Sequence, residues 1–258
     1  MANLTHQINN GVYTIFLNRP EVFNSFNRSM ALDLQSALDL AEENPDIRCI
    51  VITGTGKAFS AGQDLGEVTG ENPPSFNTIL GEHYNPIISR IRSIEKPVIA
   101  AVNGVAAGAG ANIALCCDIV LASKSASFIQ AFSKIGLIPD SGGTFFLPRL
   151  IGFQKASALM MTGEKISATE AERLGMIYKV FDDENFNQEV EKLALQMANM
   201  PTRGLGLTKK ALNRSFFNDL ESQLQIEDDL QFQAGSTQDY QEGVNAFIEK
   251  RKPEFKGK

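Results

Sequence analysis

Asp140 is the residue of this chain whose setting best suits proton transfer. It follows the run Ala131-Phe-Ser-Lys-Ile-Gly-Leu-Ile-Pro and precedes Ser141-Gly142-Gly143, so a lone carboxylate stands between apolar residues and flexible backbone. Burial among Phe132, Ile135, Leu137 and Ile138 would raise its pKa and fit it to carry protons. The same position also suits a helix N-cap worth ~1 kcal/mol, and a helix N-terminus would push the pKa the other way. Local sequence favours the cap without settling the matter.

Two turns built of small residues each follow an apolar strand. Gly104-Val-Ala-Ala-Gly108-Ala-Gly110-Ala-Asn112 leads into a helix, and Phe59-Ser-Ala-Gly-Gln-Asp64 is the second. Such turns can aim two backbone N–H groups at one oxygen, which is how an oxyanion hole works. The plainer reading is that small residues let the helix pack closely on the sheet. Two nucleotide-binding patterns are only weakly matched. From Gly108 the third glycine of Gly-x-Gly-x-x-Gly falls on Ile113, and Gly54-Thr-Gly56-Lys57 lacks the remaining signature of a phosphate loop.

The elements that must position these residues read as α/β. Asn9-Asn10-Gly11 turns a strand pair ending at Leu17, and Met30, Leu34, Leu38 and Ala41 mark a helix over 29–43. Residues 49–53, 98–102 and 118–122 are short continuous apolar strands of the kind found in covered parallel sheets. Residues 66–84 hold Gly70, Pro73, Pro74 and Gly81 and read as a mobile surface loop. After Gly152 the pattern turns helical, Ser167-Ala-Thr-Glu170 matches a capping box, and Pro201 opens a helical run interrupted at Gly204, Gly206 and Gly235. These signs divide the chain into a core over 1–200 and a helical C-terminal region over 201–258.

Composition narrows the function classes. The 258 residues are 43% hydrophobic and 21% charged, with a net charge of -6 and no strongly basic region, which argues against nucleic acid as a partner. No apolar run approaches the roughly 20 residues that cross a bilayer. Cys49, Cys116 and Cys117 suit a reducing compartment, and the start of the chain lacks a signal-peptide pattern, so a cytoplasmic location is expected. With only His6 and His83 and no Cys-x-x-Cys pair, a metal site is not expected. The basic residues from Lys250 to Lys258 read as a solvated tail.

Taken together, Lys96-Pro-Val-Ile-Ala-Ala-Val-Asn-Gly-Val-Ala-Ala-Gly108-Ala-Gly110, Phe59-Ser-Ala-Gly-Gln-Asp64 and Cys117-Asp-Ile-Val resemble the crotonase (enoyl-CoA hydratase/isomerase) family. The likeness runs from Ile15-Phe-Leu-Asn-Arg-Pro20 to Leu174-Gly175. It implies a spiral of ββα units with a C-terminal helical region, assembly as a trimer or dimer of trimers, and an acyl-CoA substrate with no permanently bound cofactor. It further implies an oxyanion hole from the backbone N–H groups of Gln63 and Ala109, with Ala61 near the adenine and Asp64 among the binding residues.

The family's hydratases carry two glutamates, and the matching positions here hold Asn112 and Phe132. Asn112 would then orient substrate or water, and Phe132 counts with it among the CoA- or substrate-binding residues. The acid falls instead on Asp140, a pattern that resembles the isomerase branch, most closely the ring-1,2-epoxyphenylacetyl-CoA isomerases of phenylacetate breakdown. That likeness reverses the local preference for an N-cap. An enoyl-CoA hydratase and a non-catalytic acyl-CoA-binding subunit stand as the alternatives.

Overall fold

The structure, a computed structural model, describes residues 2–258. Strands β1 (Leu4–Asn9) and β2 (Val12–Leu17) pair antiparallel about Asn10-Gly11, both in the left-handed region that a tight hairpin requires. Helix α1 (Arg28–Glu43) follows, its first turn capped by Asn27, whose Oδ1 accepts from the Met30 N–H at 2.9 Å.

Three units then repeat one pattern. Strand β3 (Cys49–Gly54) leads to β4 (Ala58–Ser60) and the short helices α2 (Leu65–Val68) and α3 (Phe76–Thr78), a π-helical turn over Ile79–Tyr84, and α4 (Asn85–Ser93). Strands β5 (Val98–Val102) and β6 (Val105–Ala107) lead to α5 (Ala109–Leu115). Strands β7 (Ile119–Ser123) and β8 (Ser127–Ile129) lead, through a 3-10 turn over Ala131–Ile135, to α6 (Gly143–Ile151). In every unit the first strand joins one sheet and the second strand joins another, so the chain advances as a spiral.

Helix α7 (Phe153–Thr162), β9 (Lys165–Ser167), α8 (Ala168–Arg173), β10 (Lys179–Phe181) and α9 (Phe186–Ala198) complete the core. The larger sheet runs β1-β2-β3-β5-β7-β10, parallel from β2 onward, and the smaller runs β4-β6-β8-β9. Strand alternation explains why the central strands are apolar throughout. Cys49, Val51, Ile99 and Ala101 pack under α9, while Ile50, Ile52, Val98 and Ala100 face the main core on the other side.

Helices α10 (Thr202–Ser215), α11 (Leu220–Gly235) and α12 (Gln238–Glu249) end the chain. Among the described residues no helix is long and apolar enough to cross a membrane.

Four local expectations change. The stretch 66–84 is a loop only in part. Its second half is helical, with Ile79, His83 and Tyr84 buried against the core. Residues after Gly152 are not all helical, because β9 and β10 each extend a sheet. Gly204 and Gly206 lie within α10, and at Gly206 a side chain would meet the Glu95 carbonyl at 2.4 Å, so this glycine seats the helix on the core. The basic tail is fastened rather than loose: the N–H groups of Lys256 and Gly257 donate to the Asp239 carboxylate at 2.6 and 2.7 Å, leaving the lysine side chains exposed.

Candidate active site

The two small-residue turns end β4 and β6, and they lie backbone against backbone. Gly62 has φ +89°, and a side chain there would come within 2.8 Å of the Ala107 carbonyl and 3.2 Å of the Ala109 nitrogen. Only glycine allows that approach. On one side, Phe26 bonds to the Gly62 carbonyl and to the Asp64 N–H, at 2.7 and 2.9 Å. Successive groups of extended backbone alternate in direction, so the Gln63 N–H points the opposite way.

Gly108, at φ +53°, turns the chain into α5, and Ala109 is the first residue of that helix, where an N–H has no helical acceptor. Among the described residues neither the Gln63 nor the Ala109 N–H has a hydrogen-bond partner. Gly110 meets the plainer expectation for this turn, since a side chain there would strike Ser60 at 2.6 Å. One motif thus serves both close packing and backbone exposure.

Gln63, Gly108 and Ala109 line a cavity of about 620 Å³ together with Ala61, Phe132, Tyr84 and Asp140. Leu65, Val68, Phe76, Ile79, Ile135 and Leu137 make most of its remaining wall apolar. Phe132 is buried beside Gly108, which keeps a carboxylate out of that position. Among the described residues Asp140 is the one carboxylate on the wall.

Asp140 is half-buried and does not cap a helix. Helix α6 begins three residues later, with Gly142 at its cap position and no side-chain cap. Burial pushes the Asp140 carboxyl above its ordinary range, and a 2.8 Å hydrogen bond from the Ser141 hydroxyl to Oδ1 opposes the shift. The bend that presents Asp140 is unusual, since Ser141 and Gly142 both take positive φ, 50° and 74°. It is held by the Gly143 N–H, which donates to the Asp140 carbonyl at 2.8 Å.

Two expected site residues lie off the cavity wall. Asn112 is 1% exposed, and its amide is engaged at both ends. Its Nδ2 donates to the Asp140 carbonyl at 2.8 Å, and its Oδ1 accepts from Gln130 Nε2 at 2.8 Å. It therefore supports the Asp140 bend instead of reaching for substrate or water. Asp64 accepts from the Gly66 N–H at 2.9 Å as the cap of α2 and pairs with Arg19 at 2.8 Å. Both of its functions here are structural.

Tyr84, Ser141 and Gln130 were missed by sequence reasoning. A signal for Tyr84 existed in the apolar series Ile79, Tyr84, Ile87 and Ile91. Its opening step of five residues belongs to a π-turn and breaks the 3.6-residue period by which helices are recognised.

The family model described as enoyl-CoA hydratase/isomerase matches residues 7–258. The chain is 48% identical to the 1,2-epoxyphenylacetyl-CoA isomerase of Escherichia coli strain K12, covering 100% of both proteins. It is 44% identical to a probable enoyl-CoA hydratase of Rhodobacter capsulatus, covering 99% of this chain and 98% of that protein. The crystal structure of an enoyl-CoA hydratase from Bacillus anthracis superimposes with a TM-score of 0.93 at 34% identity, covering 99% of this chain and 100% of that one.

Proposed function

This chain belongs to the enoyl-CoA hydratase/isomerase family, and from that premise we propose that it is an acyl-CoA isomerase that moves a proton with Asp140. The observation that carries the reading is the single carboxylate on the cavity wall, Asp140, and the sequence resemblance, which implies Asn112 and Phe132 at the places of the hydratases' two acids, supports it. The thioester oxygen sits between the N–H groups of Gln63 and Ala109. As the α-proton passes to Asp140, negative charge collects on that oxygen and the two donors stabilise the enolate. One such donor is worth on the order of 3 kcal/mol. Asp140 then returns the proton at the γ-carbon, and the double bond moves from the 3,4 to the 2,3 position.

The likeness to an epoxyphenylacetyl-CoA isomerase supports a ring-bearing substrate as well. In that case the same carboxylate assists rearrangement of the ring epoxide to a seven-membered oxepin. The apolar wall around Phe132 and Phe76 suits either acyl group. Family membership as an enzyme counts against the non-catalytic binding subunit. Ala61, an exposed residue of the cavity lining, is assigned to the coenzyme A end, and the chain is assigned a trimeric or hexameric assembly.

Asp140→Asn tests this reading on a 3-enoyl-CoA. Turnover should fall roughly 10²- to 10⁴-fold while acyl-CoA affinity is kept, since the loss is confined to proton transfer. Near wild-type isomerisation by the variant would sink the role given to Asp140. Measurable hydration of crotonyl-CoA by the wild type would favour the hydratase alternative.

A further inference from the structure

Tyr84 lines the same cavity as Asp140 yet has no part in the reaction just described. The side chain is 1% exposed, and its hydroxyl donates to Gln63 Oε1 at 2.9 Å. Gln63 Nε2 donates onward to Glu67 Oε2 at 2.8 Å, and the other Glu67 oxygen accepts from the Arg28 backbone N–H at 2.8 Å. The Gln63 amide is therefore gripped at its acceptor end by Tyr84 and at its donor end by Glu67. Burial, reinforced by the charges of Asp140, Glu67 and Asp64, pushes the phenol well above its ordinary range, so it remains a donor.

We propose that Tyr84 is a positioning residue for the oxyanion hole, its hydroxyl locking the Gln63 side chain and so aiming the Gln63 backbone N–H into the cavity. The proposal deepens the reading above and rests on that N–H being a donor of the hole. The Gly62 carbonyl, which shares a planar peptide unit with the Gln63 N–H, is tied to Phe26 on one side. On the cavity side the Gln63 N–H has no hydrogen-bond partner, and the Gln63 end of the unit is held through its side chain. The side-chain anchor adds a second restraint to the one from Phe26, and it is the one that keeps the Gln63 residue from rotating when charge builds on the bound oxygen. Without the phenol, Gln63 Oε1 would lose its partner beside an apolar wall and turn toward solvent or ligand. The π-turn over Ile79–Tyr84 places the ring, since its wider winding ends on Tyr84 with the Asn85 N–H donating to the Leu80 carbonyl.

The test uses the intact protein with hexanoyl-CoA carrying ¹³C at the thioester carbonyl, a saturated probe with no double bond to move. The infrared carbonyl band of the bound probe reports polarisation by the hole. Wild type should lower the band, and Tyr84→Phe should move it back toward the solution position. Isomerisation of a 3-enoyl-CoA by Tyr84→Phe should fall about tenfold in kcat with KM within about twofold. In a Gln63→Met background, adding Tyr84→Phe should cost less than about twofold more, because the hydroxyl acts through the Gln63 amide.

An unchanged band in Tyr84→Phe, or losses that multiply independently in the double variant, would overturn the proposal. Should Tyr84→Phe fail to fold, Gln63→Met alone must reproduce the band shift, and a wild-type band there overturns it equally. Absence of any lowering in wild type would instead remove the hole itself, which separates the two failures.

Discussion

At the residue scale, Asp140 combines a proton-transfer setting with a cost to the fold. Burial raises its pKa in the folded state above the unfolded value. Such a group favours folding below the unfolded pKa, and that contribution is lost as pH rises through the folded pKa. The ionised carboxylate therefore opposes folding at neutral pH. Asp140→Asn should show a higher thermal midpoint than wild type at pH 7, and the difference should vanish in acid, where Asp140 is itself protonated. Thermal denaturation at the two pH values checks this. In the proposed reaction Asp140 must be ionised to accept the proton, so the acidic limb of kcat/KM should also lie above the ordinary carboxylate range. Gly62 is the second residue with a sharp expectation. Gly62→Ala forces a side chain into φ +89° and against the Ala107 carbonyl. It should cost about 1–3 kcal/mol in denaturant unfolding and remove most turnover, since the Ala109 nitrogen lies at the same contact.

At the scale of elements, the site is where three loops meet: the ends of β4 and β6 and the bend before α6. Asn112 joins two of them, reaching from α5 to the Asp140 carbonyl. Gly143 makes room for it, since a side chain there would fall 2.4 Å from Asn112 Nδ2. Asn112→Ala would leave buried Gln130 Nε2 unpartnered and should destabilise the fold by about 1–3 kcal/mol. It should also lower kcat roughly 10- to 100-fold with little change in KM, because Asp140 would be displaced while the cavity wall stays intact. Steady-state kinetics beside denaturant unfolding separate these effects. The central strands and α1 were legible in the sequence because burial on two faces and a 3.6-residue period leave direct traces. The turn before α4 was not, because a π-turn breaks the period.

At the scale of the whole molecule, α10–α12 carry apolar side chains that the rest of the chain does not cover. Phe232 on α11 and Phe247 on α12 are 78% and 85% exposed, and Phe217, in the link between α10 and α11, is 75% exposed. Exposed aromatic residues in this number are the usual mark of a contact surface. Wild type should sediment as a trimer or hexamer, and the double substitution Phe232→Glu with Phe247→Glu should shift it toward lower mass. An unshifted sedimentation coefficient would move the assembly surface elsewhere. Lys209 ties α10 to the core, its buried ammonium bonded to Asp118 at 2.8 Å and to the Ile91 carbonyl at 2.6 Å. The helices after residue 200 are thus anchored by a buried charge as well as by the glycine contact at Gly206.

The alternating strand and helix plan and the two glycine turns could be read from the chain alone, and the family resemblance implied that Asn112 and Phe132 stand where hydratases hold two acids. Each of these is a matter of residue type at a position, which the linear chain carries in full. Only the tertiary structure decided what Asp140 does locally, because helix α6 begins three residues beyond it and leaves its side chain on a cavity wall. The structure likewise turned Asn112 from a ligand contact into a brace and brought Tyr84 against Gln63 across 21 positions of sequence. Those outcomes depend on which side chains and backbone groups the packed sheets and helices bring together, and the order of residues does not record that.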